Sequence, residues 1–221
     1  MEGMKFDTGK ARWDLVPAEY LTKMSQAMRP FIEMHLIRED KLVFNKDYLY
    51  NIARANIFRW KDFGTAGMIG RLHPLMTALI ALLMLAKRRE YSIEDVFSEF
   101  SFDQRWDLIE TEWTTNLAEI YAYGAITYED DNWMQVESKR YYAAANRHID
   151  AYHAGKLFDE ESGFLHLYHA AWNCIALMWL ESHSDNKIVF EIPPAIIRAA
   201  KKLQGISHIN VAKKAVKKKK N

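Results

Sequence analysis

Residues that could bind a cation or a phosphate are concentrated between Arg140 and Glu181. The pattern predicts a helix from about Tyr141 to Ala154, ended by Gly155, and a second helix that starts after Ser162, its N-cap, and runs to about Glu181. The candidate ligands on these helices and on the loop between them are Arg147, His148, Asp159, Glu160, Glu161, His166, His169 and Asn173. Carboxylates, imidazoles and an arginine that converge from two helices predict a metal or phosphate site.

The second helix makes ordinary burial a poor explanation of its histidines. A single polar residue on an apolar helix is most often a satisfied core residue or part of a solvated face. Here His166, His169 and Asn173 fall at i, i+3 and i+7, so they share one face of an otherwise strongly apolar helix. Because buried polar groups without partners are costly, a chemical role is the better interpretation.

Length and composition indicate one domain, or one domain with a sizeable insertion, in a chain of 221 residues. The single cysteine, Cys174, excludes an internal disulfide and lies in an apolar helix, where a buried thiol is expected. The longest apolar run, Leu75 to Ala86, has 12 residues, whereas a membrane span needs about 20. With no signal-peptide pattern at its start, we expect a cytoplasmic protein without a membrane partner.

The net charge of +1 conceals an uneven distribution. From Arg198 onward the chain has nine Lys or Arg and no Asp or Glu, which leaves 21 basic and 29 acidic residues before it, a body charge of −8. We predict a disordered basic tail whose contacts with nucleic acid or an acidic partner are weak and salt-dependent. The acidic body argues against nucleic acid as the main ligand.

The rest of the chain predicts helices rather than strands. Apolar residues at helical spacing indicate helices from Ala18 to Met28 (closed by Pro30), from Tyr48 to Trp60 and from Leu75 to about Arg89, and Ser92 is a start signal for a short helix. Only residues 187–192 alternate briefly as a strand does. The fold class is therefore mainly α, a helical bundle with one large insertion.

Two further segments carry candidate site residues. A helix is predicted from Asp107 to Tyr123, and its polar stripe includes Glu119, for which a site role and solvation are about equally good interpretations. The turn Asp7-Thr8-Gly9-Lys10 places Lys10 and Arg12 where they could contact a phosphate, although such a sequence is also typical of an ordinary surface turn.

Three segments carry a family resemblance: DTGKARWDLVP (residues 7–17), YAYGAITYEDDNW (121–133) and RYYAAANRHIDAYHAGKLFDEESGFLHLYHAAWN (140–173). The chain resembles the phage-associated dATP/dGTP diphosphohydrolase domain, which is similar to the all-α nucleoside triphosphate pyrophosphohydrolases of the MazG type. The resemblance implies a MazG-like four-helix core split between residues 1–20 and 106–184, a helical insertion at 21–105 and a C-terminal extension at 185–221 that holds the basic tail.

The resemblance also implies an activity, namely hydrolysis of a deoxynucleoside triphosphate such as dATP or dGTP to monophosphate and pyrophosphate in phage nucleotide metabolism. The expected cofactor is Mg²⁺, with Mn²⁺ or Co²⁺ as alternatives that imidazole ligands favour. The expected metal ligands are Glu119, Asp159, Glu161, His166, His169 and Asn173. The expected catalytic groups are Glu161, His148 and Glu119, with a carboxylate or His148 as the base. The expected substrate contacts are Lys10, Arg12, Arg147, Asn132 and Trp133.

Other interpretations stay open at this level. A catalytically inactive binding or structural module on the same fold is favoured by the insertion, by the basic tail, and by Gly124-Ala-Ile-Thr-Tyr128 where the family usually carries a basic run. An HD-type phosphohydrolase is disfavoured because no His and Asp are adjacent. The MazG resemblance implies a homo-oligomer, and the apolar helix at Leu75 would suit its interface. If the chain is phage-encoded, its location is the host cytoplasm.

Overall fold

The computed structural model describes residues 11–39, 41–63, 72–87, 92–97 and 106–183. Within these ranges the chain is mainly α, which confirms the predicted fold class. The helices are α1 (Ala18–His35), α2 (Lys46–Phe63), α3 (Pro74–Ala86), α4 (Ile93–Phe97), α5 (Thr111–Thr127), α6 (Ser138–His153) and α7 (His166–His183). Short 3₁₀ turns lie at Trp13–Leu15, Trp106–Leu108 and Asn132–Gln135, and β1 (Ile37–Arg38) pairs antiparallel with β2 (Lys41–Leu42).

Helix α7 is the centre of the bundle. It packs against α6, α3 and α5, and most of its residues are buried, including Cys174 as expected from the sequence. Burial raises the pKa of the Cys174 thiol. The thiol is therefore protonated at neutral pH and contributes to packing.

Helix α3 is buried from Pro74 to Leu85, because α1, α2 and α7 of the same chain cover it. Pro74 occupies the first turn, as predicted, and the side chain of His73 caps the helix by accepting a hydrogen bond from the Leu75 N–H at 3.1 Å. Since α3 lies in the expected insertion and α7 in the expected core, the two segments share one hydrophobic interior. The division into core and insertion, like the oligomeric state, remains a prediction.

Helix α1 continues past the proline that was expected to close it. Pro30 lies inside the helix, which runs to His35. An interior proline removes one backbone hydrogen bond and costs about 3 kcal/mol. The apolar stripe outweighs this cost, because it continues beyond the proline with Phe31 and Ile32, both completely buried.

Several predicted features lie outside the described residues, namely Lys10, the alternating segment at 187–192 and the basic tail. Among the helices that are described, none is both long enough and apolar enough to cross a membrane. The predicted start signal at Ser92 is confirmed: Ser92 Oγ accepts from the Asp95 N–H at 3.0 Å, and Asp95 Oδ2 accepts from the Ser92 N–H at 2.8 Å. This reciprocal pair is a capping box at the start of α4.

Candidate active site

The loop between α6 and α7 is held in a fixed turn. Gly155 has a φ of +85° and ends α6 as predicted, with its N–H bonded to the Tyr152 carbonyl and the Lys156 N–H bonded to the Ala151 carbonyl. This pair of bonds is a Schellman motif, in which glycine is preferred because the left-handed conformation costs it little. The chain then turns back through residues 156–165 to enter α7.

The start of α7 differs from the sequence prediction. Ser162 does not cap the helix, which begins at His166. Instead, the Ser162 N–H and Oγ both donate to Asp159 Oδ1, at 3.0 and 2.9 Å, and Gly163 follows in the left-handed region with a φ of +77°. The Asp159 carboxylate thus organises a tight turn, which delays the helix by one turn and directs the carboxylate inward.

Two histidines and this aspartate form a compact group of possible ligands. His148 Nδ1 on α6 lies 2.9 Å from His166 Nδ1 on α7, and Asp159 Oδ2 lies 3.9 Å from the same His166 nitrogen. One ligand atom from each residue lies within 4.8 Å of the other two. We call His148, Asp159 and His166 the His–Asp group.

The His–Asp group fits a divalent metal. Two nitrogens that bind one ion at about 2.1 Å as adjacent ligands lie about 3 Å apart, which is close to the observed separation. A set of two imidazoles and one carboxylate suits Mn²⁺, Co²⁺, Fe²⁺ or Zn²⁺ better than Mg²⁺, which prefers oxygen ligands. The donor set therefore shifts the expected metal from Mg²⁺ toward the transition metals.

A third histidine completes the site from the other side of the turn. His169 Nε2 lies 2.6 Å from Ser162 Oγ, and its ring stacks on His148 with centroids 4.6 Å apart. The hydroxyl hydrogen of Ser162 is used in the hydrogen bond to Asp159, so Ser162 Oγ must accept the hydrogen bond from the N–H at His169 Nε2. This chain of hydrogen bonds fixes the tautomer of His169 and leaves its Nδ1 lone pair without a proton.

Electrostatics keep the site ready to bind a cation. Burial, with the neighbouring histidines, lowers the pKa of His148 to about 3, and burial also lowers the pKa of His169. Partial burial works to raise the pKa of Asp159, but the hydrogen bonds from Ser162 prevail and lower it. At neutral pH His148 and His169 are therefore neutral and Asp159 is ionised, the protonation states that metal binding requires.

A cleft of about 590 Å³ opens beside these residues, and His148 and His169 form part of its wall. One side comes from α6 and carries the basic residues Lys139, Arg140 and Arg147. The aromatic end is lined by Tyr121, Trp133 and Trp172, together with Asn173. Three kinds of surface, namely cationic, ligand-rich and aromatic, thus meet in one cavity large enough for a small organic molecule.

One known protein family matches the segment of the chain that contains most of the residues lining this cleft. Residues 101–188 match the family described as dATP/dGTP diphosphohydrolase, N-terminal. This segment of the chain is similar to that family. No curated protein and no solved structure matches the chain. The predicted family is confirmed, and the match supports a hydrolase at the level of the family; it spans all three members of the His–Asp group.

The segment that matches the family brings together most of the residues predicted from α6, α7 and the loop between them. His148, Asp159, His166 and His169 cluster as described, and Arg147, Asn132 and Trp133 line the adjoining cleft. Asn173 lies in the cleft as well, but outside the His–Asp group. The predicted roles of these residues remain predictions, although their proximity is now explained by the antiparallel packing of α6 on α7.

Two predicted carboxylates of the matched segment lie elsewhere. Glu119, on α5, belongs neither to the His–Asp group nor to the residues that line the cleft. Glu161 is exposed and lies near Tyr123, whose pKa is raised by partial burial and then by the negative charge of Glu161. Among the described residues, Asp159 is the one acid that joins the two histidines.

Arg12 contributes to structure in a way that its sequence context did not indicate. Its guanidinium pairs with Asp14 at 2.7 Å and with Asp130 at 2.9 Å, and its backbone N–H donates to the Ala118 carbonyl. Two carboxylates therefore already neutralise the charge that was expected to contact phosphate. The pairing attaches the 3₁₀ turn at Trp13–Leu15 to α5 and to the loop that follows it.

Sequence reasoning missed three residues of this region: Ser162 as a link between Asp159 and His169, Arg140 on the basic wall, and Trp172 at the aromatic end. A signal for Arg140 was present, because Arg140 and Arg147 are two turns apart and share one face of α6. No local pattern marks Ser162, since its partners are set by the loop conformation.

Proposed function

We propose that the chain hydrolyses a purine deoxynucleoside triphosphate to the monophosphate and pyrophosphate in a metal-dependent reaction. The observation that carries this proposal is the joint presence, inside the segment that matches the diphosphohydrolase family, of the His–Asp group and a basic-walled cleft. A divalent cation held by His148, Asp159 and His166 would polarise phosphoryl oxygens and lower the pKa of water.

Binding of the triphosphate is assigned to the basic wall. Arg140 and Arg147 line the cleft, and a helix advances about 10 Å over the seven residues that separate them, so their guanidinium groups can contact different phosphates of one chain. Lys139, by contrast, is paired with Glu137 at 2.6 Å. The arginines offset the negative charge that would otherwise exclude a triphosphate from a protein with an acidic body.

Proton removal is assigned to His169. Its Nε2–H is bonded to Ser162, which leaves the Nδ1 lone pair to accept a proton from the attacking water. The water oxygen bonds to the α-phosphorus, the bond from that phosphorus to the bridging oxygen breaks, and pyrophosphate leaves with the electron pair. His148, Glu161 and Glu119 remain the predicted alternatives for this role; His148 belongs to the His–Asp group, and the two glutamates do not.

The competing function is nucleotide binding without turnover. It is favoured by the donor set of the His–Asp group, because Mg²⁺, a common ion of phosphoryl transfer, prefers oxygen ligands and two of the three donors here are imidazoles. A protein of this kind would bind nucleotide and metal but release no pyrophosphate.

The two functions are separated by incubating the purified full chain with each deoxynucleoside triphosphate and Mg²⁺, Mn²⁺ or Co²⁺ in ¹⁸O-labelled water. Hydrolysis at the α-phosphorus places ¹⁸O in the monophosphate, whereas attack at the β-phosphorus places it in pyrophosphate. Asp159→Asn and His166→Ala should abolish turnover. Glu160→Gln is the matched control, because Glu160 lies in the same loop but is exposed and pairs with Lys156. Nucleotide binding without product formation under every metal condition would refute hydrolysis.

A further inference from the structure

Asn173 presents a buried acceptor that no described residue uses. Its side chain is 3% exposed and lines the cleft, and its Nδ2 donates to the His169 carbonyl at 2.7 Å. Since a backbone carbonyl can only accept, this bond fixes the amide orientation and identifies the remaining atom as oxygen. Within the described part of the chain, Asn173 Oδ1 has no hydrogen-bond donor.

Unpaired donors occur at the same end of the cleft. The indole Nε1 atoms of Trp133 and Trp172 are buried, and no described residue accepts from them. The two rings meet edge to face with centroids 6.2 Å apart, and Tyr121 packs against both. A buried polar group left unpaired is costly, so one acceptor and two donors between aromatic rings require an explanation.

We propose that this end of the cleft is a nucleobase subsite, in which Asn173 Oδ1 accepts a hydrogen bond from an exocyclic amino group of the base. The indole Nε1 donors would serve ring nitrogens or carbonyl oxygens of the same base. This proposal rests on the proposed nucleotide function and names Asn173 as the residue that determines which base is preferred. It favours bases with an amino group, such as adenine and guanine, over hypoxanthine and thymine, which lack one.

The position of Asn173 relative to the His–Asp group suits this assignment. Seven residues of α7 separate His166 from Asn173, a rise of about 10 Å along one face of the helix. A deoxyribose and its 5′ phosphate can bridge such a separation, which places the base beside Trp172 and the phosphates beside the histidines. His169, between the two positions, contacts the cleft as well.

The test uses α,β-methylene analogues of dATP, dGTP, dITP and dTTP, which bind without being hydrolysed at the α-phosphorus, in calorimetric titrations with the full chain. We expect the amino-bearing analogues to bind at least about tenfold more tightly, because the other bases leave Oδ1 unpaired. Asn173→Leu should remove the preference, whereas Asn173→Asp, which retains an acceptor, should preserve it.

Asn146→Leu is the matched control. Asn146 makes the same kind of bond to its own helix, from Nδ2 to the Tyr142 carbonyl at 2.8 Å, but is not among the residues that line the cleft. This variant should keep the wild-type preference. If Asn173→Leu does not fold, Trp172→Phe tests the same subsite through the loss of one donor and should also weaken binding of the purine analogues.

Failure of the subsite is distinguishable from failure of the proposed hydrolysis. Equal affinity of the wild type for all four analogues, or a preference that survives Asn173→Leu, would overturn the subsite even if dATP is hydrolysed. A preference lost in Asn173→Leu, in a protein that releases no pyrophosphate, would support the subsite and refute hydrolysis.

Discussion

Ser162 holds two members of the site at once, so replacing it measures how much the metal depends on its supporting hydrogen bonds. Ser162→Ala removes the bond to Asp159 at 2.9 Å and the contact with His169 at 2.6 Å. The backbone bond from the Ser162 N–H to Asp159 Oδ1, at 3.0 Å, is retained. The carboxylate therefore stays in the turn but loses part of its orientation.

The expected magnitude follows from these contacts. Residues that orient metal ligands contribute about 10- to 100-fold to metal affinity or activity. Because one of the two bonds from Ser162 to Asp159 survives, we expect the lower end, about tenfold weaker Mn²⁺ binding. The side-chain bond also helps to lower the pKa of Asp159, so the pKa rises in the variant. Protons then compete with metal at a higher pH than in the wild type, and the defect should grow between about pH 7.5 and about pH 4.5, where an ordinary aspartate begins to bind a proton.

Calorimetric titration of the full chain with Mn²⁺ at these two pH values provides the measurement. Ser162→Thr, which keeps a hydroxyl, should bind nearly as wild type. Ser182→Ala controls for the loss of a serine hydroxyl elsewhere, since Ser182 Oγ bonds Tyr20 at 2.6 Å far along α7. Wild-type affinity of Ser162→Ala at both pH values would refute the reasoning, as would an equal loss in Ser162→Thr.

Three further perturbations give measurable outcomes. Glu181→Gln should lower the free energy of unfolding by about 1 kcal/mol at pH 7, because the charged carboxylate accepts from His73 Nε2 at 3.0 Å and from Trp60 Nε1 at 3.1 Å, and a neutral amide accepts both bonds more weakly. Hydrogen bonds lower the pKa of Glu181 despite its burial, so this stabilisation is present above the unfolded-state pKa and is lost as the pH falls through the folded-state pKa. Urea unfolding at pH 4 should therefore show a smaller difference in stability between the wild type and Glu181→Gln. Burial lowers the pKa of His148 to about 3, so the stability that its neutral form contributes to the metal-free protein is fully present above about pH 6.5. As the pH falls from there toward pH 3, the free energy of unfolding should decrease by up to about 1.4 kcal/mol per pH unit. His148→Gln should flatten this slope in the same unfolding assay. Arg147→Met should raise KM about tenfold or more with little change in kcat, and an unchanged KM would contradict its contact with the triphosphate.

The sequence alone was sufficient for features that depend on local interactions. The helix-ending Gly155 and the capping box at Ser92 are set by neighbours within a few residues, and both were predicted correctly. The shared face of His166 and His169 follows from helical periodicity. The family was also recognised from the segment around these residues, and the match at 101–188 confirms it.

Tertiary structure decided which of these groups act together. The sequence-based prediction assigned both Asp159 and Glu161 to the metal, and the backbone of the turn directs Asp159 toward the histidines. The partner of Arg12 was equally hidden, because Asp130 is far away in the chain.

Periodicity and capping are properties of a short stretch of backbone, so the sequence determined the helices, their polar faces and the family. Loop direction, long-range ion pairs and the path of α1 through Pro30 depend on what the rest of the chain packs against them. Hydrophobic burial acts between elements remote in sequence, and it can outweigh a local preference such as that of proline. For that reason only the folded chain shows that two histidines and one aspartate share a site.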